Sequence, residues 1–202
     1  MYLQFKNKFV VFPIISLIEI YKEYPDFDRR RLVEWQQKGY IEHIKRGFYR
    51  FSDQEVNEGL TFFIANKIYA PSYVSLETAF WVYGLIPEAV FTNYSITTQN
   101  TTKFETVLGV FVYRHLKNNL FFGYRLFQKN GYSVAFASLE KSVLDYLYLN
   151  PHINSIDDFE SLRWNKSVLK SMNLALLEDY LKLFNSKELT KRTIILKKYI
   201  DA

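Results

Sequence analysis

The sequence predicts an α+β fold, and three patterns predict it. Residues 14–24 and 29–38 carry apolar side chains at helical spacing and lead into two short strands around a glycine turn. Residues 94–137 are rich in strand-forming segments separated by polar or glycine-containing turns. Beyond residue 150 the helical period returns in three pieces. Helices and strands grouped in runs, and not alternating one by one, are the α+β signature.

The elements follow in chain order. IISLIEIYKEY, residues 14–24, forms a helix that stops before Pro25. Asp28 has N-cap character, and Phe27 before it and Leu32 after it fit a hydrophobic staple. The second helix runs from Arg29 to about Lys38, with Gly39 as its C-cap. Strands at Ile41–Lys45 and Phe48–Phe51 meet through Arg46-Gly47, where glycine supplies the positive φ of a tight hairpin. Two helices and a hairpin make an abbreviated winged helix-turn-helix over residues 1–52. A unit so small is expected to lean on the α+β domain of residues 53–202.

In that second domain, residues 55–69 read as a helix, Ala70-Pro71-Ser72 breaks it, and residues 74–85 form another ending near Gly84. NYSITTQ, VLGVFVYRHL, LFFGYRLF and YSVAF supply the strands. Ser138 caps the helix LEKSVLDYLYL, which Pro151 follows. The tail is helical at Ile156–Leu162, Asn173–Phe184 and Ser186–Ile200. The whole reads as an abbreviated winged helix-turn-helix packed on a mixed helix/antiparallel-sheet domain with a helical C-terminal tail.

Apolar residues make up 49% and charged residues 23% of the 202, which excludes a disordered chain. Cysteine is absent, which excludes disulfides, thiolate metal sites and a cysteine nucleophile, and suits a reducing compartment. The opening MYLQFKNKFVVFPI is too short in apolar run for a signal peptide, and no apolar stretch is long enough to cross a bilayer, so no membrane association and a cytoplasmic location are expected. A net charge of +5 admits nucleic acid or an acidic protein as partner, and the placement of the charge has to choose between them.

On a helical wheel Leu32, Val33, Trp35 and Gln36 share one side, and Arg30, Arg31, Glu34, Gln37 and Lys38 occupy the other. Arginine can read guanine and glutamine adenine in a major groove, and either can hold phosphate. Cations in a first helical turn face the positive end of the dipole, at about 0.3–1 kcal/mol each, and phosphates would relieve that. Lys45, Arg46 and Arg50 gather at the hairpin with His43 beside them, in the manner of a wing that reaches a minor groove. The plain alternatives are a solvated basic face or a protein contact. In the second domain, Arg114, Arg125 and Lys129 among aromatics form either a protein-binding patch or a core sheet with a basic outer face.

Nothing points to catalysis. His43, His115 and His152 lie in separate elements without metal-ligand spacing, and the chain has no glycine-rich phosphate loop or nucleophile elbow. Glu77, Glu140 and Asp145 are the acidic residues worth following, but Glu140 and Asp145 diverge around one helix. No cofactor, metal or catalytic residue is expected.

Three stretches resemble the AbiEi-like family of antitoxins and transcriptional regulators of type IV abortive-infection toxin–antitoxin pairs. They are LVEWQQKGYIEHIKRGFYRF (32–51), APSYVSLETAFWVYGLIPE (70–88) and the glycine-containing strands running into VAFASLEKSVLDYLYL (134–149). The resemblance covers most of residues 10–150. It implies an N-terminal winged domain that binds double-stranded operator DNA, and a C-terminal domain that counters a cognate nucleotidyltransferase-like toxin. Carried over by position, the DNA role falls on Arg30, Arg31, Gln37 and Lys38 of the helix and on Lys45, Arg46 and Arg50 of the wing. Ser75, Glu77, Tyr83, Glu140, Lys141 and Asp145 match positions that hold the family's domain together, with Glu77 and Lys141 or Asp145 as buried partners. The resemblance fixes no oligomeric state. Two readings stand beside it: an interaction module whose winged unit is only structural, and a nuclease-like enzyme.

Overall fold

The computed structural model describes residues 1–201; position 202, the end of the expected second domain, lies outside the described residues. The fold is α+β. It contains a three-stranded antiparallel sheet near the N-terminus and a six-stranded mixed sheet beyond it.

The N-terminal unit opens with helix α1 (Tyr2–Phe9), which the sequence reading did not assign. Phe5 and Phe9, one turn apart, both bury against the rest of the unit. The unit is therefore not abbreviated to two helices. Strand β1 (Ile15–Ser16) and helix α2 (Leu17–Glu23) divide the segment expected to be one helix. The division falls at Ser16, whose hydroxyl accepts from the Glu19 N–H at 3.2 Å while the Glu19 carboxylate accepts from the Ser16 N–H at 2.7 Å. This reciprocal cap starts the helix and leaves Ile15 extended.

Helix α3 (Arg30–Gln37) follows. Asp28 accepts from the Arg30 N–H at 3.0 Å, so it satisfies a first-turn donor as expected, although Arg29 is the flanking residue. Gly39 stands at φ +69, the left-handed conformation that ends the helix. Strands β2 (Ile41–Lys45) and β3 (Phe48–Phe51) form the expected hairpin, with a register shift between His43 and Lys45. The sheet order is β1-β3-β2. The core under it is largely aromatic: Phe5, Phe9, Phe27, Trp35 and Phe51 cluster, with Phe5 and Trp35 centroids 4.8 Å apart.

The larger region begins with helix α4 (Glu58–Ile68), capped by Asn57. A side chain at Gly59 would collide with the Lys129 carbonyl at 2.1 Å, so only glycine lets α4 approach that turn. Strand β4 (Ser72–Val74), read from sequence as loop and helix start, lies inside the sheet between β5 (Thr92–Thr97) and β9 (Tyr132–Ala137). Three buried residues are too few for alternation to show. Helix α5 (Leu76–Tyr83) links β4 to β5.

Strands β6 (Thr102–Thr106), also unassigned from sequence, β7 (Gly109–His115) and β8 (Tyr124–Lys129) complete the order β6-β7-β5-β4-β9-β8. The sheet was expected to be antiparallel. It is mixed, because β5 runs parallel to β7 and β4 parallel to β9. Helix α4 packs on one face. Helix α6 (Leu139–Leu149) packs on the other with the tail helices α7 (Ile156–Ser161), α8 (Lys166–Lys170), α9 (Leu174–Phe184) and α10 (Lys187–Asp201). Of these, α8 was not read from sequence.

The two regions share a core. Ile14, Ile44 and Phe48 of the N-terminal unit pack into the cluster under α4. No helix among the described residues is long and apolar enough to cross a membrane.

Candidate nucleic-acid interface

Helix α3 buries Leu32 and Trp35, which turns the opposite side outward. Arg30, Glu34, Gln37 and Lys38 are exposed there, and Arg31 is half-buried at its margin. Val33 was expected on the core side. It lies on the outer face instead and is 54% exposed, because it is a full 100° from Leu32 and the core beneath α3 is filled from Leu32 and Trp35.

Two of the outward cations are tethered. The Arg30 guanidinium returns to Asp28, with Nε 2.9 Å from Oδ2, although its side chain remains 91% exposed. That guanidinium, followed by the Arg30 N–H, holds the Asp28 carboxyl below the usual carboxylate range. Lys38 donates to Glu34 at 2.6 Å one turn back, which holds the Glu34 carboxyl down and the ammonium up. Glu34 thus restrains a cation on the face.

At the hairpin the expected basic tip divides into different roles. Arg46 is exposed at the turn. Arg50, expected among the DNA contacts, is only 2% exposed. Its guanidinium donates to the Glu42 carboxylate across the strand pair at 2.6 Å and to the Gln54 carbonyl, so it serves the interior. Lys45 is also withdrawn. Its ammonium donates to the Ile68 carbonyl at the end of α4, at 2.8 Å, and lies 4.1 Å from the Phe104 ring centre. Burial pulls its pKa down. Neither residue faces outward with Arg46.

A strip of side chains joins the start of α3 to the hairpin. Arg29 Nε donates to the Tyr21 hydroxyl at 2.6 Å, and the guanidinium lies 5.3 Å from that ring's centre. Tyr21 and Arg29 both stand close enough to Tyr49 on β3 to act on its hydroxyl, and the Tyr49 ring is 5.4 Å from His43 on β2. Arg29 and His43 are exposed. The sequence reading gave Arg29 no site role and treated the tyrosines as core. Register carried the missing signal: His43 pairs with Tyr49, so both project on the helix side of the sheet.

The acidic candidates separate. Asp145 is sealed inside with Lys141, and the Tyr73 and Ser75 hydroxyls donate to its Oδ2 at 2.9 and 3.0 Å. Burial drives Asp145 up and Lys141 down, and their mutual attraction opposes both shifts. Glu140 accepts from the Asn173 N–H at 2.8 Å, tying the tail to α6. Glu77 joins neither; burial raises its pKa, and its Oε2 is buried without a hydrogen-bond partner. Tyr83 donates to the Ala137 carbonyl at 2.7 Å. Among the described residues no three His, Asp or Glu converge as metal ligands.

The arrangement can hold an extended polyanion along α3 and the hairpin turn. Its cations are exposed, linked through one strip, and mounted on a packed aromatic core. No protein-family model matches the chain, and no curated protein matches it.

Proposed function

We propose that residues 1–52 form a winged helix-turn-helix that binds double-stranded DNA, and that the protein is an antitoxin-like transcriptional regulator acting by occluding a promoter. The observation that carries this reading is the order helix, strand, helix, helix and hairpin, with sheet order β1-β3-β2 and an outward cationic α3 beside the turn. In such a unit the third helix lies in the major groove and the hairpin touches the flanking backbone.

In this reading Arg30 and Gln37 face base edges, while Arg29, Arg31, Lys38, His43 and Arg46 meet phosphates. Lys45 and Arg50 drop out of the contact set because their charges are spent inside the protein. The toxin-countering role of the larger region, its nucleotidyltransferase-like partner and cytoplasmic residence rest on the family resemblance.

The test is a gel-shift salt series on the DNA upstream of the gene, with Arg30→Ala combined with Arg46→Ala. The expected result is weaker binding and a log–log salt slope shallower by roughly two, one for each lost phosphate partner. Unchanged affinity, or binding indifferent to salt, rejects the surface.

A further inference from the structure

An apolar trench lies beside the N-terminal unit, away from the cationic strip. It consists of two adjoining grooves of about 360 and 510 Å³ that share Phe12 and Glu19 in their walls. Val11, Phe12 and Ile18 are 74%, 40% and 81% exposed there. Phe63 of α4 lines one groove, so the trench spans the junction of the two regions. Apolar side chains contiguous at a lined groove differ from the scattered singles normal to any surface.

The charges at the rim select the occupant. Glu19 is committed to the Ser16 N–H at 2.7 Å, and Glu23 to Lys8 at 2.9 Å. Lys67 at the first groove and Lys22 at the second are exposed, and neither forms an ion pair among the described residues. Each carboxylate lining the trench is thus occupied, while one cation at each groove is left for a partner.

We infer that the trench docks a segment of a partner protein bearing two large apolar side chains flanked by carboxylates. One apolar side chain enters each groove on either side of Phe12, and the carboxylates meet Lys22 and Lys67. Burial of the apolar pair supplies affinity, and the two lysines supply polarity and register. The site is independent of DNA binding.

The experiment pans a random 16-residue peptide library on the full-length protein and measures the enriched peptides by fluorescence anisotropy. Acidic peptides with paired Leu, Phe or Trp are expected. Ile18→Asp should abolish their binding, and Lys22→Glu with Lys67→Glu should weaken it at least tenfold. Both sets change exposed side chains, and unaltered circular dichroism and Tm verify the fold. No enrichment, basic peptides, or peptides indifferent to these substitutions would overturn the inference. So would an Ile18-dependent dimer in sedimentation, because a second copy would then be the occupant.

Discussion

Lys141 and Asp145 form an ion pair across one turn of α6 with both side chains at 0% exposure. The ammonium also approaches the Phe122 and Phe184 ring centres at 4.9 and 4.8 Å, and donates to the Tyr73 hydroxyl at 2.9 Å. Helical spacing brings the two charges together, and β4 supplies the Tyr73 and Ser75 hydroxyls above them. This knot fastens α6 to the middle of the sheet.

Removing one charge there strands the other. Asp145→Asn is expected to cost about 3–5 kcal/mol, since an uncompensated buried ammonium must be neutralised. Lys141→Met should cost a similar amount. The double variant should cost less than the sum by roughly 2 kcal/mol, within the range of directly contacting residues. Urea denaturation of the four proteins measures the cycle; additive losses would show that the pair is not coupled.

Arg50 and Glu42 form a second pair, but an asymmetric one, with side chains 3% and 33% exposed. Glu42→Ala leaves a buried guanidinium and is expected to cost roughly 3 kcal/mol. Arg50→Met leaves a carboxylate that water can reach, so its loss should be smaller. Equal losses in chemical denaturation would contradict this ordering. Either variant should keep its DNA salt slope, which separates Arg50 from Arg46.

Asp28 restrains Arg30 on the face proposed to meet DNA. Asp28→Asn removes a negative charge from that face and releases the guanidinium. Affinity for DNA should rise about two- to fivefold, in line with the 0.2–1 kcal/mol of an exposed ion pair. Anisotropy titration at fixed salt reads the change. A fall in affinity would mean that Asp28 positions Arg30 for contact and does not merely compete for it.

Asp158 caps α7, where the Asn154 N–H and then the Ser155 hydroxyl hold its carboxyl below the usual range. A depressed folded pKa binds protons less readily than the unfolded chain does. Its contribution is therefore present above the unfolded value of about 4 and is lost as pH falls through the lower folded value. Asp158→Asn should lower Tm at pH 7, and the gap to the parent should close on acidification below about pH 4. A gap independent of pH would place the effect elsewhere.

Local chemistry was legible along the chain. Asp28 before α3, Gly39 after it and Arg46-Gly47 in the hairpin each carry their signal within a few residues, because caps and tight turns are local hydrogen-bond and φ requirements. Ser16-x-x-Glu19 carried the same kind of signal for α2 and was available to the reading. The outward set Arg30, Gln37 and Lys38 was legible too, since Leu32 and Trp35 fix the inner side of the helix.

Tertiary structure decided the rest. Whether a basic side chain at the hairpin serves a partner or the interior depends on what stands opposite it. Arg50 turns inward because Glu42 pairs with it across the strands, and Lys45 because the end of α4 offers the Ile68 carbonyl. Strand β4 holds three buried residues whose identity as a strand lies in its neighbours β5 and β9, far away in sequence. The parallel pairings and the meeting of Tyr73, Ser75, Lys141 and Asp145 have the same origin. A sequence displays periodicity and charge one element at a time, whereas counter-charges and strand partners arrive only when distant segments pack together.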